Sequence, residues 1–293
     1  MEQDQKVMKL SPKERFEAIL PKIIVFTIIV LVSLPIIIAY SWLLLNSISK
    51  ESLFGLIPKS FSFHNWRFMW SEIKIGTRVF PSIWPITWNT FVLAFSITII
   101  EVSIASLSGF ALSRMKFKGK DFIMKGTIFL HAFPGVALLI ALYIVLQKLG
   151  LIDTLIGVVL VKVALNIPMS AWMIKGFFDD IPWDIEWASY VDGCTRLQTW
   201  RKVIIPQLKP GIAAISIFSF MSGWSEFIYA YTFIYSPKNF TLAVFLKNLI
   251  GDFKMLDYGL LCAAGLFYMI PTILFFILSQ KSLMKVSFGG VKG

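Results

Sequence analysis

Six long apolar runs, cut apart by charged or turn-rich segments, decide what this chain can become. They lie near residues 23–45, 86–112, 122–147, 155–178, 210–235 and 258–280. Each is close to the roughly 20 residues a helix needs to cross a ~30 Å hydrocarbon core. Composition agrees: 57% of the 293 residues are hydrophobic and only 15% are charged. A soluble domain of this size cannot hide so much apolar surface. Inside lipid a backbone must satisfy its own polar groups, which leaves helices or closed barrels. Runs of this length select the helix. The expected fold is an all-α integral membrane protein with about six transmembrane helices. Pro35, Pro134, Pro168 and Pro271 fall within the runs, where neighbouring helices can satisfy the freed carbonyls.

Six spans put both ends of the chain on one side. Of the 28 Lys and Arg, 18 lie in segments on the N-terminal side and 9 on the opposite side, with Lys162 inside a span. Positive charge favours the cytoplasm, so both termini are expected there. Residues 1–22 read as an uncleaved cytoplasmic tail, 23–280 as the membrane domain and 281–293 as a cytoplasmic tail. The orientation places 179–209 inside the cell and 47–85 outside. The outer segment, with Trp66 and Trp70, is expected to hold a short interfacial helix. The net charge of +11 is topogenic and lipid-facing on this reading, and nucleic acid is not an expected partner. Cys194 and Cys262 are expected to stay reduced.

Several chemistries lack their sequence signs. There is no Gly-x-x-x-x-Gly-Lys-Ser/Thr loop for ATP, no Gly-x-Ser-x-Gly elbow, and no His-Glu-x-x-His or Cys-x-x-Cys spacing for a metal. No catalytic or metal-ligating residue is therefore assigned, and no cofactor is expected on this chain. An intramembrane hydrolase is poorly supported.

The most distinctive segment is a polar island between the fourth and fifth runs. Asp179-Asp180-Ile181-Pro182 supplies a stop and a helix start. Glu186-Trp187-Ala188-Ser189-Tyr190-Val191-Asp192-Gly193 follows, then Val203-Ile204-Ile205-Pro206. A short helix here puts Trp187, Tyr190 and Val191 on one face, and Gly193 permits a sharp turn through positive φ. The spacing resembles the Glu-Ala-Ala signature of ABC importer permeases. Trp224-Ser225-Glu226-Phe227 resembles the Trp-Asn-Glu-Phe element of sugar-importer permeases. Leu149 to Thr154, Phe177 to Pro182 and the Gly289-Gly290-Val291-Lys292-Gly293 end are similar to the maltose-type (MalG-like) second permease. The likeness runs from the second span to the end.

That resemblance implies a type I importer fold with a cytoplasmic coupling helix between spans four and five. It implies an ATP-driven, binding-protein-dependent import of a sugar or oligosaccharide by alternating access. The implied partners are a second permease in a heterodimer, two ATPase subunits that carry ATP and Mg, and an extracytoplasmic sugar-binding protein. The setting is a bacterial or archaeal cytoplasmic membrane. By the same resemblance Glu186, Trp187, Ala188, Ser189, Asp192, Gly193, Ile205 and Pro206 dock the ATPase. Gly289, Gly290 and Lys292 make a C-terminal contact to it. Trp187 stands where the family has the Glu of its signature and Ser189 where it has the second Ala. Glu186 either substitutes for that Glu or the ion pair it makes is lost.

Polar side chains inside a membrane are expensive and usually face a cavity or another helix. Glu101 is expected to pair between helices. His131 reads as a hydrogen-bonded packing residue. Lys162 either snorkels to the outer interface or faces the pathway, where it would suit an acidic, alginate-like saccharide. External loops carry 9 Lys and Arg against 5 Asp and Glu, in the same sense. Trp172, Trp224, Glu226 and Tyr229 are further candidates for the pathway, with Tyr143 and Tyr231. An ion-coupled secondary transporter is the alternative, with Glu101, His131, Lys162 and Glu226 as its relay.

Overall fold

A computed structural model describes residues 12–53, 57–75, 78–251 and 257–289. The chain divides into two compact units, Met1–Arg67 with Asp257–Leu266, and Phe68–Leu256 with Phe267–Gly293.

In the first unit, helix α1 (Pro12–Ser47) contains a span at Leu20–Ser47 whose apolar side chains are largely exposed. Strands β1 (Ser49–Leu53) and β2 (Ile57–Phe61) follow as an antiparallel pair. Buried Asn65 ties the helix end to the hairpin. Its Nδ2 donates to the carbonyls of Asn46 (3.2 Å) and Ser49 (2.8 Å). Residues 47–85, where a short helix is expected, hold a seven-residue 3₁₀ helix at Phe63–Met69 that carries Trp66, together with short strands that include β3 (Ile73–Ile75) and β4 (Arg78–Phe80) in the second unit. Each strand spans only three to five residues, too few for a clear alternating pattern.

The second unit is built on three packed helices: α2 (Trp84–Arg114), α5 (Leu155–Asp179) and α9 (Lys209–Trp224). Leu93, Ala94, Ile97, Val158, Ile174, Ala214 and Ile215 are buried between them. A Cβ on Gly223 would sit 2.7 Å from Ala94 Cα, so the small residue lets α9 approach α2 closely. Small residues serve this purpose in membranes, where apolar burial does little to drive helices together. Glu101 on α2 is buried and pairs between helices, as expected. Its carboxylate accepts hydrogen bonds from Asn166 Nδ2 (3.1 Å) and Ser219 Oγ (2.8 Å), with Ser170 Oγ against its other oxygen.

Between these helices lie α3 (Lys120–Ala132), a 3₁₀ turn at Gly135–Leu138 and α4 (Leu139–Lys148). After α5 come α6 (Trp183–Val191), α7 (Arg196–Thr199), a π-helical turn at Trp200–Ile204 and α8 (Ile205–Gln207). Beyond α9 are α10 (Ile228–Phe233), α11 (Leu242–Leu249) and α12 (Tyr258–Gly289), which begins in the first unit and ends in the second.

Among the described residues, four helices are long and apolar enough to cross a membrane, or up to six segments if each bent pair is one span. The third expected span is broken. Lys120–Ala132 and Gly135–Lys148 meet at 89°, because Phe133 and Pro134 are extended rather than helical. A proline pushes the residue before it out of the α region. The fifth expected span, 210–235, is interrupted too. Helix α9 stops at Trp224 and α10 restarts at Ile228. The C-terminal segment expected as a tail from 281 is helical through Gly289. Gly290 and Lys292 lie outside the described residues, as do residues 1–11.

Candidate functional site

The polar island folds as a short helix, a tight turn and a second helical stretch. Helix α6 starts after Pro182, with Asp184 and Glu186 in its first turn. Acidic residues suit the positive end of a helix. Gly193 ends the segment with φ +84°, the left-handed geometry that the sequence reading requires of it. Thr195 then opens α7 with a capping box, its hydroxyl accepting from the Gln198 N–H while Gln198 Oε1 accepts from the Thr195 N–H. Both arrangements follow from local sequence: Gly for positive φ, and Thr-x-x-Gln for the box.

The helix is inside-out. Its buried side chains are polar, Glu186 and Ser189, while Trp187 (58% exposed), Tyr190 and Val191 (87% exposed) face outward. Glu186 forms an ion pair with Arg114 at the end of α2. Arg114 also donates from Nη2 to the Ile181 carbonyl (2.6 Å), and its guanidinium lies 4.5 Å from the centroid of the Trp183 ring. Ser189 Oγ shares a hydrogen bond with Thr199 Oγ1 at 2.7 Å, joining α6 to α7. Beneath both, Ile181, Ile204 and Leu208 are buried in one apolar cluster with Ala105, Ile174, Phe178 and Ile215 of the three core helices.

Of the residues assigned to docking, three are wholly or partly buried within the chain. Glu186 is paired with Arg114. Ser189 is buried for the reason just given. Ile205 packs half-buried against the same apolar cluster. Trp187, Ala188, Asp192, Gly193 and Pro206 remain exposed together on the segment. Arg114 closes the second apolar run at the end of α2. An Arg closing an apolar span is a visible signal, but its pairing with a residue 72 positions away is not.

A second polar constellation lies where the two broken spans meet. Lys162 Nζ of α5 is 2.6 Å from Glu226 Oε2, which sits in the break between α9 and α10. Glu226 Oε1 accepts the N–H of Tyr229 at 2.8 Å, which satisfies an orphan donor of the restarting helix. The ammonium lies 5.9 Å from the centroid of the Tyr229 ring. Gly135, just past the other break, lies directly against the Tyr229 hydroxyl. So Lys162, Glu226 and Tyr229 come together, and Lys162 is neither snorkelling nor a free cation. Trp224 does not join them. It is buried, stacks with Tyr268 and Phe220, donates from Nε1 to the Tyr268 carbonyl (3.1 Å) and accepts from the Tyr268 hydroxyl at its own carbonyl (3.1 Å). These contacts tie it to α12. Trp172 stands apart on α5, about half exposed.

Just before α5, Asp153, with φ +61°, knots two loops together. Its carboxylate accepts from the backbone N–H groups of Tyr235 and Ser236 (both 2.9 Å) and from the Ser236 hydroxyl. Burial acts to raise its pKa, but these hydrogen bonds outweigh it and hold the carboxyl below its ordinary value.

Comparison with known proteins decides what kind of molecule carries this surface. The family described as "Binding-protein-dependent transport system inner membrane component" matches residues 102–284, which include the coupling segment and both breaks. The chain belongs to that family. This permease is 32% identical over 208 residues to the inner membrane ABC transporter permease protein YcjP of Escherichia coli, covering 70% of this chain and 73% of the relative. It is 32% identical over 250 residues to the maltose/maltodextrin permease MalG of Salmonella typhimurium, covering 82% and 84%. Among solved structures it resembles a subunit of a bacterial ABC transporter involved in importing the acidic polysaccharide alginate. That match has a TM-score of 0.74 at 21% identity and covers 93% of this chain and 98% of the other. The fold is that of a type I ABC importer permease. The chain is an inner-membrane transporter subunit, not an enzyme; ATP is hydrolysed by separate subunits. Nothing in these relatives supports an ion-coupled secondary transporter.

Proposed function

We propose that this permease forms part of the path for a sugar or oligosaccharide and that residues 179–209 receive the motion of an ATPase subunit. The observation that carries the docking role is the inside-out helix α6. Trp187, Tyr190 and Val191 are exposed apolar side chains on a segment locked to three spans, and such a patch marks an interaction surface. Large aromatic side chains supply much of the energy at such interfaces. The saccharide class is supported by the maltose-type and trehalose-type relatives. The working assembly is a heterodimer with a second permease, two ATPases carrying ATP and Mg, and an external binding protein. Both termini face the cytoplasm of a bacterium or archaeon. Residues 1–22 and 281–293 flank the membrane domain there, and Gly289, Gly290 and Lys292 reach the ATPases.

An acidic oligosaccharide is a second reading of the same site. The alginate importers favour it, at TM-scores of 0.74 and 0.66, as does the basic excess of the outer loops. Lys162 does not, since Glu226 neutralises it. The complex, purified with its partner subunits and placed in liposomes, is expected to hydrolyse ATP several-fold faster when loaded binding protein is added, and to accumulate saccharide. Uptake driven by an ion gradient without ATP would defeat the proposal. Maltodextrin and alginate oligomers, tested separately, distinguish the two substrate readings.

A further inference from the structure

The α3–α5 face holds a feature that neither docking nor the ion pair uses. A niche of about 170 Å³ is lined by Thr127, Ile128 and His131 of α3 and by Pro168, Met169 and Trp172 of α5. Trp172 is 47% exposed and His131 is exposed. Neither ring has a hydrogen-bond partner among the described residues. Their depth makes this costly. At 1.5 Å per residue, His131 lies about 16 Å along α3 from Lys120 and Trp172 about 10 Å along α5 from Asp179, the ends nearest the coupling segment. Helices that cross a hydrocarbon core of ~30 Å would carry both rings within it. Tryptophans that merely anchor a helix settle at the interfaces instead. Two ring N–H groups facing lipid there would go unsatisfied.

The surroundings point the same way. Lys162, Leu165, Met169 and Trp172 fall at i, i+3, i+7 and i+10, along one side of α5. Leu165 lies near Gly135 at the broken span. His131 is the last residue but one of α3 before that break. Irregular backbone at membrane depth survives only where protein buries it or water reaches it. We infer that this niche is a saccharide-contact subsite on the translocation path. The Trp172 indole takes the apolar face of a sugar ring, and His131 bonds a hydroxyl. The inference rests on the saccharide reading above and adds this chain's own contacts to it.

The test uses the assembled complex in liposomes, with Cys194→Ser and Cys262→Ala as background. His131→Cys and Trp172→Cys are each expected to react with a charged methanethiosulfonate far faster than Leu31→Cys, which sits exposed in the first span. Saturating maltodextrin or alginate oligomer is expected to protect both. Trp172→Ala is expected to raise the half-saturating sugar about 3- to 10-fold at near-normal assembly, and Trp172→Phe to restore most of it. Labelling no faster than at Leu31→Cys, showing a lipid face, would overturn the inference. So would loss of the second permease from the Trp172→Ala complex with transport per assembled complex unchanged, which would mark a subunit contact. A wild-type complex that responds to no saccharide would instead sink the substrate reading itself.

Discussion

Glu186→Ala is expected to destabilise the coupling segment by about 3–5 kcal/mol, because it leaves the Arg114 guanidinium buried without its partner. Arg114→Ala is expected to cost at least as much. It strands Glu186, and it also removes the hydrogen bond to Ile181 and the contact with Trp183. The double variant Arg114→Met/Glu186→Leu removes both charges at similar volume and is expected to recover most of the loss, since desolvation offsets much of what a buried pair gains. Thermal unfolding of the purified permease pair and the yield of co-purified ATPase read the cycle. Strictly additive losses would show that the two residues act independently. Single variants as stable as the parent would show that the segment is held by its apolar cluster alone.

Removing the carboxylate at the second ion pair is the other large effect. Glu226→Ala leaves the Lys162 ammonium unpaired within the membrane and takes away the acceptor of the Tyr229 N–H. The expected loss is about 3–5 kcal/mol. Glu226→Gln keeps the acceptor but not the charge and is expected to lose less. Lys162→Met/Glu226→Leu is expected to assemble better than either single charge-removing variant. Transport decides whether the pair is structural or moves. Normal uptake by the assembled double variant would reduce the pair to a clamp between the broken spans. If Lys162 served an anionic substrate directly, Lys162→Met alone would abolish uptake while Glu226→Gln preserved it.

Much of this architecture was legible in sequence because span length is a strong physical constraint. Both ends of α2 and α5, the C-terminal end of α1 and the N-terminal end of α12 follow from where apolar runs stop, whereas the start of α1 at Pro12 and the end of α12 at Gly289 do not. The turn at Gly193 and the exposure of Trp187, Tyr190 and Val191 were also legible, since φ and helical periodicity are local. The breaks were not. Pro168 and Pro271 sit inside continuous helices while Pro134 ends one, and all three look alike in an apolar run. At 225–227 there is no proline; the Glu226 side chain takes over as acceptor for the next helix. The partners of Glu186 and Lys162 were out of reach too. A carboxylate beside a tryptophan on an amphipathic helix reads as exposed, and only the arrival of Arg114 from another span turns it inward.

In the proposed coupling role, helix α6 presents its aromatic face to an ATPase while its polar face locks it to the spans. Trp187→Cys, in the cysteine-substituted background and paired with single cysteines placed along the ATPase surface, tests this most directly. A disulfide cross-link is predicted at one ATPase position, forming in the intact complex and stopping transport until it is reduced. Failure of Trp187→Cys to cross-link to any ATPase position, in a complex that still transports, would contradict the account.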